Sequence, residues 1–193
     1  LEVKLEIYDN YNYNLENLKE RIKEKMVKKM NYAKSIKRYS EIIFLCIGTD
    51  KITGDCFGPL VGTNLKRMLE NSNIFNITIY GTLIKNVNYS NVEQVIRTIQ
   101  TRHSNPYIVV IDAALSKKEN IGNVYIEEGK TILRKGLNKS RIEVGDLSIK
   151  AVVGKDYKIP AYNFSILQNI SLNTVYTLSN VVSEAIIETI KYN

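Results

Sequence analysis

The stretch Ile42-Ile-Phe-Leu-Cys-Ile-Gly-Thr-Asp-Lys-Ile-Thr-Gly-Asp-Cys-Phe-Gly-Pro-Leu-Val-Gly62 decides how the chain folds. Its first six residues are an unbroken apolar run that stops at Gly48. A run that short and that apolar predicts a strand covered on both faces, as in a parallel sheet. Four glycines, Asp50, Asp55 and Pro59 follow within fifteen residues. Glycines let the backbone turn tightly, and proline suits a first helical position, so Pro59 is read as opening a helix over Leu60 to Leu69 with Leu65 and Leu69 inward. The unit is a strand, an acidic glycine-rich loop and a helix.

The same alternation continues outward. Ile77 to Leu83 reads as a second strand, and Ser90 as an N-cap completed by Glu93 before Val95, Ile96 and Ile99. Tyr107-Ile-Val-Val-Ile111 is a third buried strand running straight into Asp112. Beyond it lie glycine-punctuated ribbons at Val124 to Glu127 and Leu147 to Val153, separated by a basic loop from Arg134 to Arg141. Val175, Leu178, Val182, Ile186 and Ile190 recur at helical spacing and predict a long terminal helix from Leu172. Strand and helix in alternation give an α/β protein, a three-layer α/β/α sandwich around a mostly parallel central sheet.

Residues 1–40 differ in character. Leu15, Leu18, Ile22, Met26 and Met30 form the apolar stripe of one amphipathic helix, whose other face carries Lys19, Arg21, Lys23, Lys25, Lys28 and Lys29. That segment is read as a helical extension packed on the core with a solvated basic face. Residues 41–193 are read as a single α/β domain, in keeping with a total of 193 residues.

Apolar residues make up 44% of the chain, but no run approaches the length of about 20 that spans a bilayer. No secretory apolar segment stands out in residues 1–40, so a cytoplasmic setting without membrane contact is expected. Cys46 and Cys56 flank the acidic loop and are read as free structural thiols, with Cys56 near a helix start that would lower its pKa. One histidine, His103, sits in a surface-turn setting before Asn105-Pro106 and gives no metal-ligand cluster, so no metal or other cofactor is expected. The net charge of +7 favours acidic partners. Its basic residues are dispersed, and a nucleic-acid partner rests on charge alone.

Ligands of open parallel sheets bind at the carboxyl ends of the strands. The Asp50–Asp55 loop and Asp112 both fall there. Asp55 precedes a helix, where the helix dipole favours the ionised carboxylate, whereas Asp112 follows five apolar residues that raise its pKa. A carboxyl pair with unlike environments suits general acid and base work. The residue types alone leave open that Asp55 is a helix cap and Asp112 a backbone-bonded strand end. Neither GxGxxG nor GxxxxGK[ST] occurs. Asp50-Lys51-Ile52-Thr53-Gly54 echoes an aspartyl-phosphate loop, but Ile52 stands where a second carboxylate belongs.

The segments GTDKITGDCFGPLVG at 48–62, VIDAAL at 110–115, VGDLSIKAVVG at 144–154 and FSILQNISLNTVYTLSNVVSEAI at 164–186 together resemble the YyaC family of sporulation proteins. The resemblance covers nearly everything from residue 42 onward and little before it. That family is similar to the spore germination protease and, more distantly, to the hydrogenase maturation peptidases, which implies the same α/β/α sandwich. It also implies aspartate-dependent endopeptidase chemistry, with Asp55 and Asp112 at the positions of the protease's acid/base pair. Asp50 and Asp146 are second-rank candidates, and Thr53, Gly54, Gly58 and Pro59 shape the loop, whose backbone N–H groups are expected to supply oxyanion donors.

The implied partner is a protein or peptide substrate, with small acid-soluble spore proteins as candidates, in the cytoplasm of a sporulating cell or spore. The sequence also departs from its relatives. Gly54 replaces the protease's loop proline, which loosens that backbone. The nickel-binding histidine of the maturation peptidases has no counterpart after the third strand. Both departures support the alternative reading, a peptidase-like binding or regulatory protein of sporulation without catalysis.

Overall fold

The computed structural model describes residues 11–36, 39–70, 72–134 and 141–191. In chain order the elements are α1 (Tyr11–Ile36), β1 (Ile42–Cys46), α2 (Phe57–Glu70), β2 (Ile77–Tyr80), α3 (Val92–Arg102), β3 (Tyr107–Ser116), β4 (Val124–Glu128), β5 (Thr131–Arg134), β6 (Arg141–Val144), β7 (Leu147–Lys155), α4 (Pro160–Asn169) and α5 (Leu172–Lys191). A central sheet runs β2-β1-β3-β7-β4, and β5 pairs with β6 as a separate ribbon. Strands β1, β2, β3 and β7 are parallel and β4 is antiparallel.

The apolar runs are buried on both sides because their alternate residues belong to two different cores. Phe44, Cys46, Val109 and Ile111 face a core completed by α1, α2 and α5. Ile43, Leu45 and Val110 face a smaller one completed by Val92 and Ile99 of α3 and by Val144 of β6, with Leu133 and Ile142 packed against it. The sandwich is therefore asymmetric: α1, α2 and α5, with α4 beside them, cover one face, while one helix and a β-ribbon share the other.

From β1 the chain passes through α2 to β2 on one side of β1, then returns through α3 to β3 on its other side. This reversal makes the β1/β3 boundary a topological switch point, and its carboxyl edge is where such sheets leave a crevice.

Several boundaries differ from the sequence reading for physical reasons. A short 3-10 turn, Gly54–Cys56, leads into α2, which begins at Phe57 and carries Pro59 in its first turn, where a missing N–H costs no helical bond. β2 ends at Tyr80 because Gly81 takes a φ of 95°. Ser90 does not cap α3. Its N–H and hydroxyl instead donate to the Asn88 side chain, and Asn91 precedes the helix. β3 continues through Asp112 to Ser116, since β7 extends alongside it and pairs Asp112 with Lys150. The terminal helix expected from Leu172 is met by α5, and α4, which has no fully buried residue, is an additional helix before it. Most of the basic loop, residues 135–140, lies outside the described residues.

Helix α1 buries Leu18, Ile22, Met26 and Met30 almost completely in the larger core. Its basic face is not uniformly solvated. Lys19 and Lys23 both reach Glu188 of α5, at 3.2 and 3.1 Å, and Lys29 reaches Glu128 of β4 at 3.2 Å. Ile22→Ala is expected to lower the unfolding free energy by about 2–5 kcal/mol. Urea denaturation should show one shifted cooperative transition, whereas a separate early loss of helix would mean that α1 docks independently.

Candidate active site

The loop after β1 is fastened to β3 by main-chain bonds. Ile47 N–H donates to the carbonyl of Ile111, the residue before Asp112, at 2.7 Å. Gly48 N–H donates to Val87, and Thr49 N–H to the carbonyl of Asp55 at 3.1 Å, which closes the loop on itself. Two glycines make this closure possible. Gly48 has a φ of 142°, and a Cβ there would lie 2.0 Å from the Asp55 carbonyl oxygen. A Cβ on Gly58 would lie 2.1 Å from the carbonyl oxygen of Ile47, so the first turn of α2 rests directly on the end of β1.

Strand alternation puts Asp112 on the same face as Val110, toward α3 and the ribbon. There Asp55 and Asp112 line one cavity of about 250 Å³, walled by Ile47, Gly48, Val92 and the ribbon residues Ile132, Leu133 and Ile142, with Asn88 and Tyr89 contributing its other polar side-chain groups. Burial raises the pKa of both carboxyls. That of Asp112 is pushed up to about 7, chiefly by desolvation and then by the nearby charge of Asp55, while the Ala113 N–H and Lys150 oppose the rise. For Asp55 the expectation of a favoured ionised form is corrected: desolvation outweighs a backbone hydrogen bond from Thr49. The Cys56 thiol is likewise raised rather than lowered, by burial and by the charges of Asp50 and Asp55.

The remaining sequence candidates fall elsewhere. Asp50 is exposed on the outside of the loop, and its carboxylate accepts from Asn86 Nδ2 at 2.6 Å. Asp146 lies at the opposite, amino-terminal edge of the sheet, where its Oδ2 accepts the N–H of Ile108 at 2.9 Å. At that edge, too, His103 pairs through Nδ1 with Glu41 at 2.7 Å, while its Nε2 meets the hydroxyl of Tyr80 at 2.9 Å. Thr53 makes no side-chain cap to the 3-10 turn. Gly54 does not loosen the loop. It is buried, and a Cβ there would press on Leu167 and Ile170 at 2.8 Å, so the missing side chain admits α4.

The loop's N–H groups at 48, 49, 55 and 56 are already engaged within the chain and do not form the expected oxyanion donors. Sequence reading missed Asn88. Its Oδ1 accepts from Ser90 N–H at 2.9 Å and from Ser90 Oγ at 2.6 Å, which leaves its amide nitrogen without a partner among the described residues. The asparagine pattern of 86–91 gives a turn from sequence, but nothing in it announces a cavity. Among the described residues no three His, Cys, Asp or Glu side chains converge as a metal site. No helix among them is long and apolar enough to cross a membrane.

An α/β sandwich with an acidic pair at its switch point is the class of protein that fold and cavity define. The chain belongs to the family described as "Protein of unknown function (DUF1256)", which it matches over residues 10–185, α1 included. It is 36% identical over 145 residues to the "Uncharacterized protein YyaC" of Bacillus subtilis (strain 168), an overlap of 75% of this chain and 67% of that protein. The YyaC resemblance read from the loop and strand-end segments is thus met. Among solved structures, a [NiFe] hydrogenase maturation protease, HycI from Thermococcus kodakarensis KOD1, superposes with a TM-score of 0.45 and 17% identity, over 77% of this chain and 93% of that one.

The raised pKa of Asp112 has a signed consequence for stability. Between its ordinary value of 3.8 and about 7 the folded state keeps a proton that the unfolded chain has released, so stability falls as pH rises through that window. Asp112→Asn removes this cost. The variant is expected to be more stable than the parent at pH 8, by on the order of 2–4 kcal/mol, and to converge with it below pH 4. Urea midpoints at the two pH values decide the matter, and an Asn variant that is weaker at pH 8 would contradict the assigned protonation.

Proposed function

We propose that the chain is an aspartate-dependent peptidase in which Asp55 and Asp112 act on one water. The observation that carries this reading is the shared 250 Å³ cavity, walled by both carboxyls, in which Asp112 holds its proton up to about 7. Asp55, as carboxylate, takes a proton from water while the water oxygen bonds to the peptide carbonyl carbon. Asp112 gives its proton to the amine as the C–N bond breaks. Asp55 is then protonated and Asp112 ionised, and a proton passed back through a water in the cavity restores the starting state. The unengaged amide of Asn88 supplies a hydrogen bond to the developing oxyanion. Tyr89, Ile132 and Ile142 keep the reacting groups partly dry and offer an apolar seat for a substrate side chain.

The resemblance to sporulation proteins supplies the first substrates to try, small acid-soluble spore proteins, and the setting, the cytoplasm of a sporulating cell or spore. Incubation with an acid-soluble spore protein extract, followed by mass spectrometry, is expected to give peptide products from the parent. Asp55→Asn and Asp112→Asn should each lower the rate by at least about 10²-fold. No products from folded parent protein would favour the binding or regulatory reading instead. The rate should also fall above about pH 7, where Asp112 loses the proton it donates. An alkaline optimum would reverse the acid and base roles or remove them.

A further inference from the structure

The sheet also meets solvent along β2, its edge strand. Helices α2 and α3 pack on opposite faces of the sheet and both reach past that edge. Between them lies an open slot of about 860 Å³ whose floor is β2 and whose walls include Leu69 of α2 and Val95 of α3. Its hydrogen-bonding capacity can be read from the ladder. Ile42 N–H donates to the carbonyl of Asn76 at 2.9 Å. In a parallel pair the bonding residues alternate, so Thr78 and Tyr80 turn their main-chain groups toward β1, and Ile77 and Ile79 turn theirs into the slot. No partner is found for those groups among the described residues. All four residues of β2 are half-buried, so these donors and acceptors line the bottom of a cleft and not an open face.

Charge and continuity indicate what fits. Exposed Lys66, Lys85 and Arg102 border the slot against one carboxylate, Glu70. A second copy of the chain would bring the same cations into opposition, whereas an acidic strand would be matched. One end of the slot is formed by Asn86, Val87 and Asn91, while the intervening and following residues Asn88, Tyr89 and Val92 line the cavity of Asp55 and Asp112. A chain lying in the slot therefore runs toward the acidic pair.

We propose that β2 accepts an extended, acidic polypeptide segment as an added sheet strand and so holds a protein substrate for the acidic cavity. The delivery role rests on the peptidase reading; strand addition does not. Backbone bonds to Ile77 and Ile79 would supply affinity, and the cationic border would supply the preference for acidic sequence.

The test uses the ¹⁵N-labelled full chain and four octapeptides: alternating valine and glutamate, alternating valine and lysine, and two forms of the glutamate peptide N-methylated at every second residue, one in each register. The glutamate peptide should slow amide exchange at Ile77 and Ile79 and bind roughly tenfold or more tightly than the lysine peptide. One N-methylated register should lose binding to a similar degree, roughly tenfold, and the other should retain it. Lys66→Glu with Arg102→Glu should invert the charge preference. Equal binding of both charge types, no binding, indifference to N-methylation, or unchanged exchange at both amides would each overturn the proposal. The spore-extract assay is a separate readout. Cleavage with β2 unaffected by the peptides leaves the peptidase and removes the strand-addition site, whereas strand addition without cleavage leaves a binding groove and removes the peptidase.

Discussion

The carboxyl edge of this protein depends on one close approach, that of the first turn of α2 to the main chain at Ile47. A Cβ on Gly58 would stand 2.1 Å from the Ile47 carbonyl oxygen, closer than any real side chain sits. With the helix seated there, the loop from Gly48 to Asp55 has no slack. Its ends are tied to Val87 and to each other, and Ile47 is tied to Ile111. Asp55 and Asp112 thus face one cavity because backbone has been brought against backbone, not because the carboxyls attract each other. Their mutual effect is unfavourable to charge, as the raised proton affinity of Asp112 shows.

Much of this was legible in the sequence, and the reasons are specific. Apolar runs such as Ile42–Ile47 and Tyr107–Ile111 are buried on both faces, a pattern that excludes a half-solvated antiparallel sheet. Together with the helical stripes between them they imply a mostly parallel sheet, and the rule for open sheets then places Asp55 and Asp112 at its carboxyl edge; the strand order itself comes from the structure. Asp146 cannot be assigned to an edge from its neighbours, because a glycine-aspartate pair before a strand has the same local look at either end of a sheet. Only the register of β7 against β3 puts it at the amino-terminal edge.

What remained illegible depends on side chains supplied from far along the chain. The ribbon residues Ile132, Leu133 and Ile142 wall the cavity, but a short β-hairpin carries no mark of the surface it will cover. The expected loss of stiffness at Gly54 had the wrong sign because the segment packing on it, Leu167 and Ile170, lies more than a hundred residues away. The basic stripe of α1 likewise looked solvent-facing until Glu188 and Glu128 were brought alongside it. These pairs are half-buried at the edge of the helix and add little stability individually, so the buried stripe of α1 is what holds it.

Lys150 gives the parallel register of β3 and β7 a chemical meaning. It stands across the ladder from Asp112, lowers the proton affinity of that carboxyl, and is itself held by Glu127 of β4 at 3.2 Å. The titration of Asp112 is therefore adjustable from a neighbouring strand. A neutral residue at position 150 would move the titration of Asp112 upward without changing the cavity's two carboxyls. Substitution at Glu127 would act one strand further out, on the lysine, so three adjacent strands form a graded control on a single proton.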